Sequence, residues 1–217
     1  MYFYKTPKLF EYFYPEAIWH GDRSKKYIYL TFDDGPVPRV TEYILDLLSD
    51  LTVKASFFCV GENVKYHPKI FNRMIQDGHG IGNHTFNHLN GWITCEREYM
   101  ENIQMCADIL RQSGHQGNPL YFRPPYGRIR KNIIKKIKEA YKIIMWDVLS
   151  YDFSSKVSPE TCFQKSLRHT KNGSIIVFHD SIKTFEKIKF VISQYIMYLK
   201  DKNYEFHTID DIFLLNH

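Results

Sequence analysis

Short apolar runs alternate along the chain with longer stretches in which apolar residues recur every three or four positions, the periods of buried strands and amphipathic helices. The runs at 27–32, 55–60, 80–83, 120–123, 143–147, 174–178 and 204–207 predict strands. The stretches at 39–50, 62–77, 95–112, 129–140, 159–170 and 183–200 predict helices. In the last of these, Ile188, Val191, Ile192, Tyr195, Ile196 and Leu199 form one apolar stripe. Ser158-Pro159-Glu160 makes a good helix start, with serine as cap and proline at the first position. Residues 1–24 are aromatic and proline-containing without a clear period. They are expected to form a leader segment packed on a catalytic domain spanning 25–217.

Strands that each follow a helix imply a parallel sheet, because parallel neighbours need a crossover connection. Two closures fit: an open doubly wound sheet, or a barrel with fewer than eight strands. Polar residues favour the barrel. Asp33 and Asp34 follow the first strand, His84 and His88 the third, and Arg123 ends the fourth. Asp147 to Asp152 follow the fifth, and His179-Asp180 end the sixth. Five strands then deliver chemistry from their C-terminal ends, where such barrels build active sites, whereas an open sheet gathers its ligand at one switch point. The expected fold is an α/β distorted barrel of about seven parallel strands.

Composition adds modest limits. A length of 217 residues with 44% hydrophobic content fits one packed domain. The 16 Tyr and 16 Phe serve core packing, a sugar-binding groove, or both, since a pyranose has an apolar face that packs on an aromatic ring. The net charge of +5 is dispersed, and its one cluster, Lys131, Lys135, Lys136 and Lys138, falls on a helical stretch as a solvated face. A nucleic-acid partner is therefore not expected. Cys59, Cys95, Cys106 and Cys162 show neither CxxC nor zinc-finger spacing, which points to a reducing compartment. Lys5, Lys8 and Glu11 interrupt any signal-peptide core, and no stretch approaches the roughly 20 apolar residues of a membrane span. The default expectation is a soluble, cytoplasmic protein of undefined oligomeric state.

Five segments carry the chemistry. Thr31-Phe32-Asp33-Asp34-Gly35-Pro36 runs a strand into two adjacent carboxylates. The bland reading is a turn; the functional one gives one carboxylate to a cation and leaves the other as a base, which relieves their repulsion. His84-Thr85-Phe86-Asn87-His88 spaces two imidazoles for one face of a helical turn, as a divalent metal requires. The glycines before it, in Gly78-His79-Gly80-Ile81-Gly82, are expected to let the backbone bend into the site. With Asp34 the histidines make a two-histidine, one-carboxylate set that leaves positions open for water and substrate. His79 is a competing ligand but reads better as structural. Arg123-Pro124-Pro125-Tyr126-Gly127 is either a rigid surface turn or an arginine reaching a carboxylate, with the Tyr126 N–H facing an oxyanion. Finally, His179 ends a buried strand, and a carboxylate from the neighbouring segment 147–152 would orient it and favour the imidazolium a general acid needs.

Taken together, TFDDGP, HTFNH, RPPYG, the Asp152-Phe153 segment and VFH resemble, in family order, the polysaccharide deacetylases of carbohydrate esterase family four, which share the NodB homology domain. The likeness covers roughly 25–210. It implies a metal-dependent hydrolase that removes N-acetyl groups from an N-acetylated glycan, with zinc, or else cobalt or nickel, as the metal. The same resemblance makes Asp33 the base, Asp34, His84 and His88 the metal ligands, and Arg123 the partner of Asp33. It also makes Tyr126 the oxyanion donor, His179 the acid and Asp152 the group that tunes it. Two residues depart from the family pattern. Phe153 stands where tryptophan is usual, and Val177 where leucine is frequent in the pocket for the acetyl methyl. Both stay apolar, so they bear on substrate more than on chemistry. The rival expectations are an O-acetyl esterase or non-glycan amidase on the same site, and a catalytically silent glycan-binding relative. The glycan itself, whether peptidoglycan, chito-oligosaccharide or a lipid-linked intermediate, is left open.

Overall fold

The computed structural model describes residues 3–117 and 120–214. The chain opens with α1 (Lys8–Phe13) and β1 (Ala17–Ile18), followed by β2 (Tyr27–Asp33), α2 (Val40–Asp50) and β3 (Ser56–Cys59). Next come α3 (Gly61–Tyr66), α4 (Pro68–Gln76), β4 (Gly80–Asn83), α5 (Glu96–Gln112), β5 (Leu120–Phe122), α6 (Lys131–Ile137) and β6 (Tyr141–Ile144). The chain continues through β7 (Val148–Leu149), α7 (Pro159–His169), β8 (Ser174–His179), α8 (Phe185–Asp201), β9 (Glu205–Phe206) and α9 (Asp211–Leu214).

The strands form one sheet in the order β1-β6-β5-β4-β3-β2-β8-β7, and every ladder is parallel. β3 pairs with β2 only at Thr31 to Asp33, and β9 takes the vacated edge beside Tyr27 and Ile28. The sheet curls far enough for Arg123, just past β5, to hydrogen-bond both Thr31 on β2 and the Ile144 carbonyl on β6, strands that are not neighbours. The distorted parallel barrel read from the sequence is the observed fold. Residues 4–6 run antiparallel beside β7, with Thr6 N–H donating to Asp147 O at 3.0 Å and Leu149 N–H to Tyr4 O at 3.0 Å.

Pleat alternation sorts the strand residues into two environments. Ile28, Leu30 and Phe32 of β2 join Ile176 and Phe178 of β8 in the cluster packed under the helices, where α8 buries the whole predicted stripe. Tyr29 and Ile175, on the opposite face, pack with Phe58, Tyr121 and Ile144 inside the curl. The same period carries Asp33 and His179 to the inner face at the strand ends, where they are register partners.

Some elements differ from expectation. The helix predicted over 62–77 is two helices, because Pro68 disfavours helical geometry at His67 (φ −128°, ψ 53°) and starts α4 afresh. The strand expected at 143–147 is β6 at Tyr141–Ile144, with β7 following separately. β1 and β7, at two residues each, are too short to show a period. The Ser158 cap is present and accepts from Thr161 N–H. Among the described residues no helix is long and apolar enough to cross a membrane.

The glycines of β4 act by size and not by bending, which corrects the sequence expectation. Gly78 alone of that run has a positive φ (72°). A Cβ on Gly82 would meet the Phe58 ring at 2.4 Å, and one on Gly80 would meet Ser56 Oγ at 2.4 Å. Overpacking of this kind costs about 1–3 kcal/mol. Gly82→Ala is therefore expected to lower the thermal melting temperature while keeping a cooperative transition. An unchanged melting temperature would show that the Phe58 ring has room to retreat.

Candidate active site

The strand ends converge on a cavity of about 420 Å³ lined by Asp33, Asp34, His84, His88 and His179, with Tyr126, Phe153 and Val177 also in its wall. Every residue named from the sequence for metal, acid, base or pocket opens onto it. Arg123 and Asp152 lie buried behind it.

Asp33 ends β2 at 3% exposure and accepts from Arg123 Nη1 at 2.6 Å. The guanidinium is wholly buried, and its other donors reach Thr31 Oγ1 and the carbonyls of Ile144 and Met145. Its flat face lies 3.9 Å from the Phe58 ring centroid. Burial lowers the arginine's pKa, and the Asp33 charge works against that fall.

Asp34 leaves the strand in a left-handed conformation (φ 90°), held by its N–H to Phe58 O and by Asn63 Nδ2 donating to its carbonyl at 2.7 Å. Next to it, Gly35 N–H donates to Asp180 Oδ1 at 2.8 Å, and Thr41 Oγ1 lies 2.6 Å from Oδ2. Asp180 thus staples the TFDDGP loop to the end of β8. Burial pushes its pKa up to about 8, although the bonds from Thr41 and Gly35 pull the other way. Asp180 was visible beside His179 in the sequence, but nothing there assigned it this task.

The segment 84–88 is not a helical turn, contrary to the sequence expectation. Thr85 and His88 are both left-handed (φ 63° and 56°), so the chain bends sharply between the two histidines. Asn83 Oδ1 accepts from Thr85 N–H, and Asn102 on α5 accepts from Phe86 and Asn87 N–H at 2.8 and 2.9 Å. This support from α5, which no motif signalled, brings the two rings to 5.0 Å between centroids.

Both imidazoles present Nε2 to Asp34. His84 Nδ1 donates to Arg123 O at 2.8 Å, and His88 Nδ1 meets the Tyr126 hydroxyl at 3.1 Å. Such bonds fix ring orientation in metal sites. His84 Nε2 is 3.8 Å and His88 Nε2 3.1 Å from Asp34 Oδ1, yet that oxygen is buried without a properly aligned hydrogen bond. One ligand atom from each residue lies within 4.8 Å of the others, so the three form a group able to hold a metal ion. Their ionisation suits this task. Burial lowers His84 to about 4, keeping it neutral. For Asp34, burial pushes upward, but His88, His179 and His84 outweigh it and hold the carboxyl well below the usual range.

His179 Nδ1 lies 2.8 Å from Asp152 Oδ1, and its backbone N–H donates to Oδ2 at 2.7 Å. Ser150 Oγ and Phe153 N–H hold Oδ1 of the same carboxylate. Burial works to lower the His179 pKa, but Asp152 at contact, aided by Asp34 and Asp33, raises it to about 9. Asp147, the other carboxylate of this segment, instead binds Arg23, Lys5 and Ser174 away from the cavity. Phe153 sits edge-on to His179 at 5.0 Å. His79 accepts from Ala55 N–H at 3.3 Å and takes no part in the group, in line with its structural reading. Tyr126 is left-handed (φ 60°, ψ 8°) between Pro125 and Gly127.

Comparison with known proteins places the chain in one family. The family described as polysaccharide deacetylase matches residues 20–142, more than half of the chain. A peptidoglycan-N-acetylglucosamine deacetylase from Bacillus cereus is 36% identical over 89% of this chain and 70% of its own length. A solved peptidoglycan N-acetylglucosamine deacetylase superposes with a TM-score of 0.88 at 33% identity, covering 95% of this chain and 96% of its own. A CE4 family pseudoenzyme from Bacillus anthracis superposes with a TM-score of 0.80 at 25% identity, over 90% and 68% of the two chains.

If Asp34, His84 and His88 hold the metal, replacing both histidines by alanine is expected to abolish stoichiometric zinc in the purified protein, measured by elemental analysis. Asp33→Asn is expected to retain it. Metal content unaffected by the double substitution would defeat this ligand set.

Proposed function

Because the chain belongs to the polysaccharide deacetylase family, we propose that it hydrolyses the N-acetyl group of a glycan built from N-acetylglucosamine or N-acetylmuramic acid units and releases acetate. The strongest support is one pairing: Asp33 fixed by Arg123 and His179 fixed by Asp152, on adjacent strands beside the Asp34–His84–His88 group. A glycan-binding protein has no use for two such separately held proton carriers. The peptidoglycan deacetylases it resembles favour a cell-wall glycan as substrate.

Two imidazoles and a carboxylate suit zinc, with cobalt or nickel as alternatives. A cation there supplies a Lewis acid that polarises the amide carbonyl and lowers the pKa of water, for zinc from about 15.7 to near 7. The chain's own residues do the rest. Asp33, with Oδ1 held by Arg123, accepts a proton from the attacking water. The rigid turn through Pro124, Pro125 and Tyr126 fixes the Tyr126 N–H as a donor to the developing oxyanion. His179, its Nδ1 engaged by Asp152, gives a proton from Nε2 to the departing amine, so that a neutral amine leaves and the C–N bond breaks. Phe153 and Val177 supply apolar wall for the acetyl methyl.

Acetate release from N-acetylated oligosaccharides, compared with O-acetylated ones, tests this directly. Metal-loaded wild-type protein is expected to act on the amides. Asp33→Asn and His179→Ala are each expected to lose roughly 100- to 10,000-fold in kcat, the usual span for an acid–base group. Full turnover by either variant would remove that residue from its role.

The pH profile provides a separate test. A raised His179 pKa keeps the imidazolium present at neutral pH and loses it as pH climbs through about 9. Asparagine at 152 removes the charge that raises it, so the falling alkaline limb of kcat/KM is expected to move to lower pH in Asp152→Asn. A limb that stays in place in a cooperatively folded variant would show that Asp152 does not set it.

A further inference from the structure

The catalytic cavity does not end at its own walls. A second cavity of about 260 Å³ adjoins it, and Tyr126, Arg128, Trp146, Leu149 and Tyr151 line both. Alone, this space falls short of the roughly 300–1,000 Å³ usual for a ligand site; as an extension of the catalytic cavity it turns a pit into a groove. Phe10 and Trp92 line the extension but not the catalytic cavity, 46% and 53% exposed respectively. An exposed indole and phenyl ring in the wall of such a groove are surfaces on which the apolar face of a pyranose can lie.

Charge narrows the occupant. Among the described residues, no Asp or Glu lines the extension. Asp33 and Asp34, the two acids of the catalytic cavity, are already engaged by Arg123 and by the facing histidines. Arg128 stands where the two cavities meet. Its guanidinium lies 5.1 Å from the Trp92 ring centroid and 6.0 Å from that of Tyr126, and no carboxylate among the described residues forms an ion pair with it. An arginine held against aromatic faces keeps its in-plane N–H donors available, and these match a carboxylate two at a time.

We propose that Arg128, with Trp92 and Tyr126, forms a subsite for the sugar next to the one being deacetylated, and that it selects a sugar bearing a carboxylate over a neutral one. The class of ligand is an amino sugar with an acidic ether substituent within an N-acetylated glycan. The choice of a glycan rests on the function proposed above. The preference for an anion rests on Arg128 and its surroundings alone.

Two probes separate these. One is a peptide-free tetrasaccharide of alternating N-acetylglucosamine and N-acetylmuramic acid, which carries free lactyl carboxylates. The other is chitotetraose, which is neutral. Binding is measured by titration calorimetry on zinc-loaded protein in the Asp33→Asn background, so that neither probe is consumed. The acidic probe is expected to bind about tenfold more tightly than chitotetraose, a preference worth about 1.4 kcal/mol. Arg128→Ala is expected to erase that preference, and added salt to reduce it. Trp92→Ala is expected to weaken both probes together, as loss of a stacking face does. Equal binding of the two probes, binding of neither, or an equal loss for both in Arg128→Ala would overturn the proposal. Acetate release is assayed separately with the unsubstituted protein. A clear binding preference without acetate would sink the deacetylase reading and leave the subsite standing.

Discussion

The site depends on one buried cation. Arg123 has no exposed surface, and its guanidinium is satisfied by a carboxylate, a hydroxyl and two backbone carbonyls drawn from β2, β6 and the residue after β6. A buried ion pair is poor evidence of stability, since desolvating both charges offsets most of their attraction; losing one partner, however, costs about 3–5 kcal/mol because the other is left uncompensated. What the pair secures here is position. Arg123 ties strands that the ladder does not join, and its own carbonyl accepts from His84 Nδ1. A single residue thereby sets the orientation of Asp33 and presents His84 Nε2 to the cavity. Space for it comes from β4, where Gly82 leaves room for the Phe58 ring that the guanidinium covers.

The same burial acts on every ionisable group around the cavity, and the neighbours decide its outcome. His84 is a buried imidazole and His179 a largely buried one. His84 faces a backbone carbonyl at Nδ1 and is lowered to about 4; His179 faces a carboxylate at the same atom and is raised to about 9. Under the proposed roles, burial leaves His84 a neutral ligand, and the carboxylate beside His179 overcomes the same effect to leave a cationic acid. In chemistry that must keep one imidazole unprotonated and another charged at the same pH, this difference of partner does what distance alone could not.

Much of this was legible in the sequence, for a definable reason. Alternation along β2 and β8 aims alternate residues inward, so the pattern alone places acidic and histidine residues at the ends of apolar runs around the mouth of a barrel. Pro68 was equally readable as a break, but the apolar stripe continues across it and hid the boundary. What could not be read depends on contacts distant in sequence. Asn102 supports the histidine loop from α5, 14 residues beyond His88, and Asp180 holds a loop 145 residues before it. HTFNH has helical spacing but bends in the left-handed region, because the N–H groups of Thr85, Phe86 and Asn87 donate to Asn83 and Asn102 and not to its own backbone. The glycines before it proved to be spacers, since a residue without a side chain reads the same whether it serves rotation or room.

Conformational strain is concentrated where the chemistry is. Asp34, His88, Tyr126 and Tyr151 line the catalytic cavity with positive φ, and Thr85 adopts it between the two histidines. Each such residue costs about 1–3 kcal/mol relative to relaxed backbone, so it persists only where its surroundings leave no alternative. The surroundings here are specific: Asn63 and Phe58 at Asp34, Asn83 at Thr85, and a Pro-Pro pair ahead of Tyr126. A relaxed loop could carry the same side chains, but it would have to order them whenever a substrate arrived and lose binding energy in doing so. Strained backbone braced by buried amides meets that cost during folding. The structure thus divides its work by depth: Arg123, Asp152, Asp180 and Asn102 fix geometry from beneath, while Tyr126, Arg128 and Trp92 at the rim stay exposed enough to discriminate among ligands.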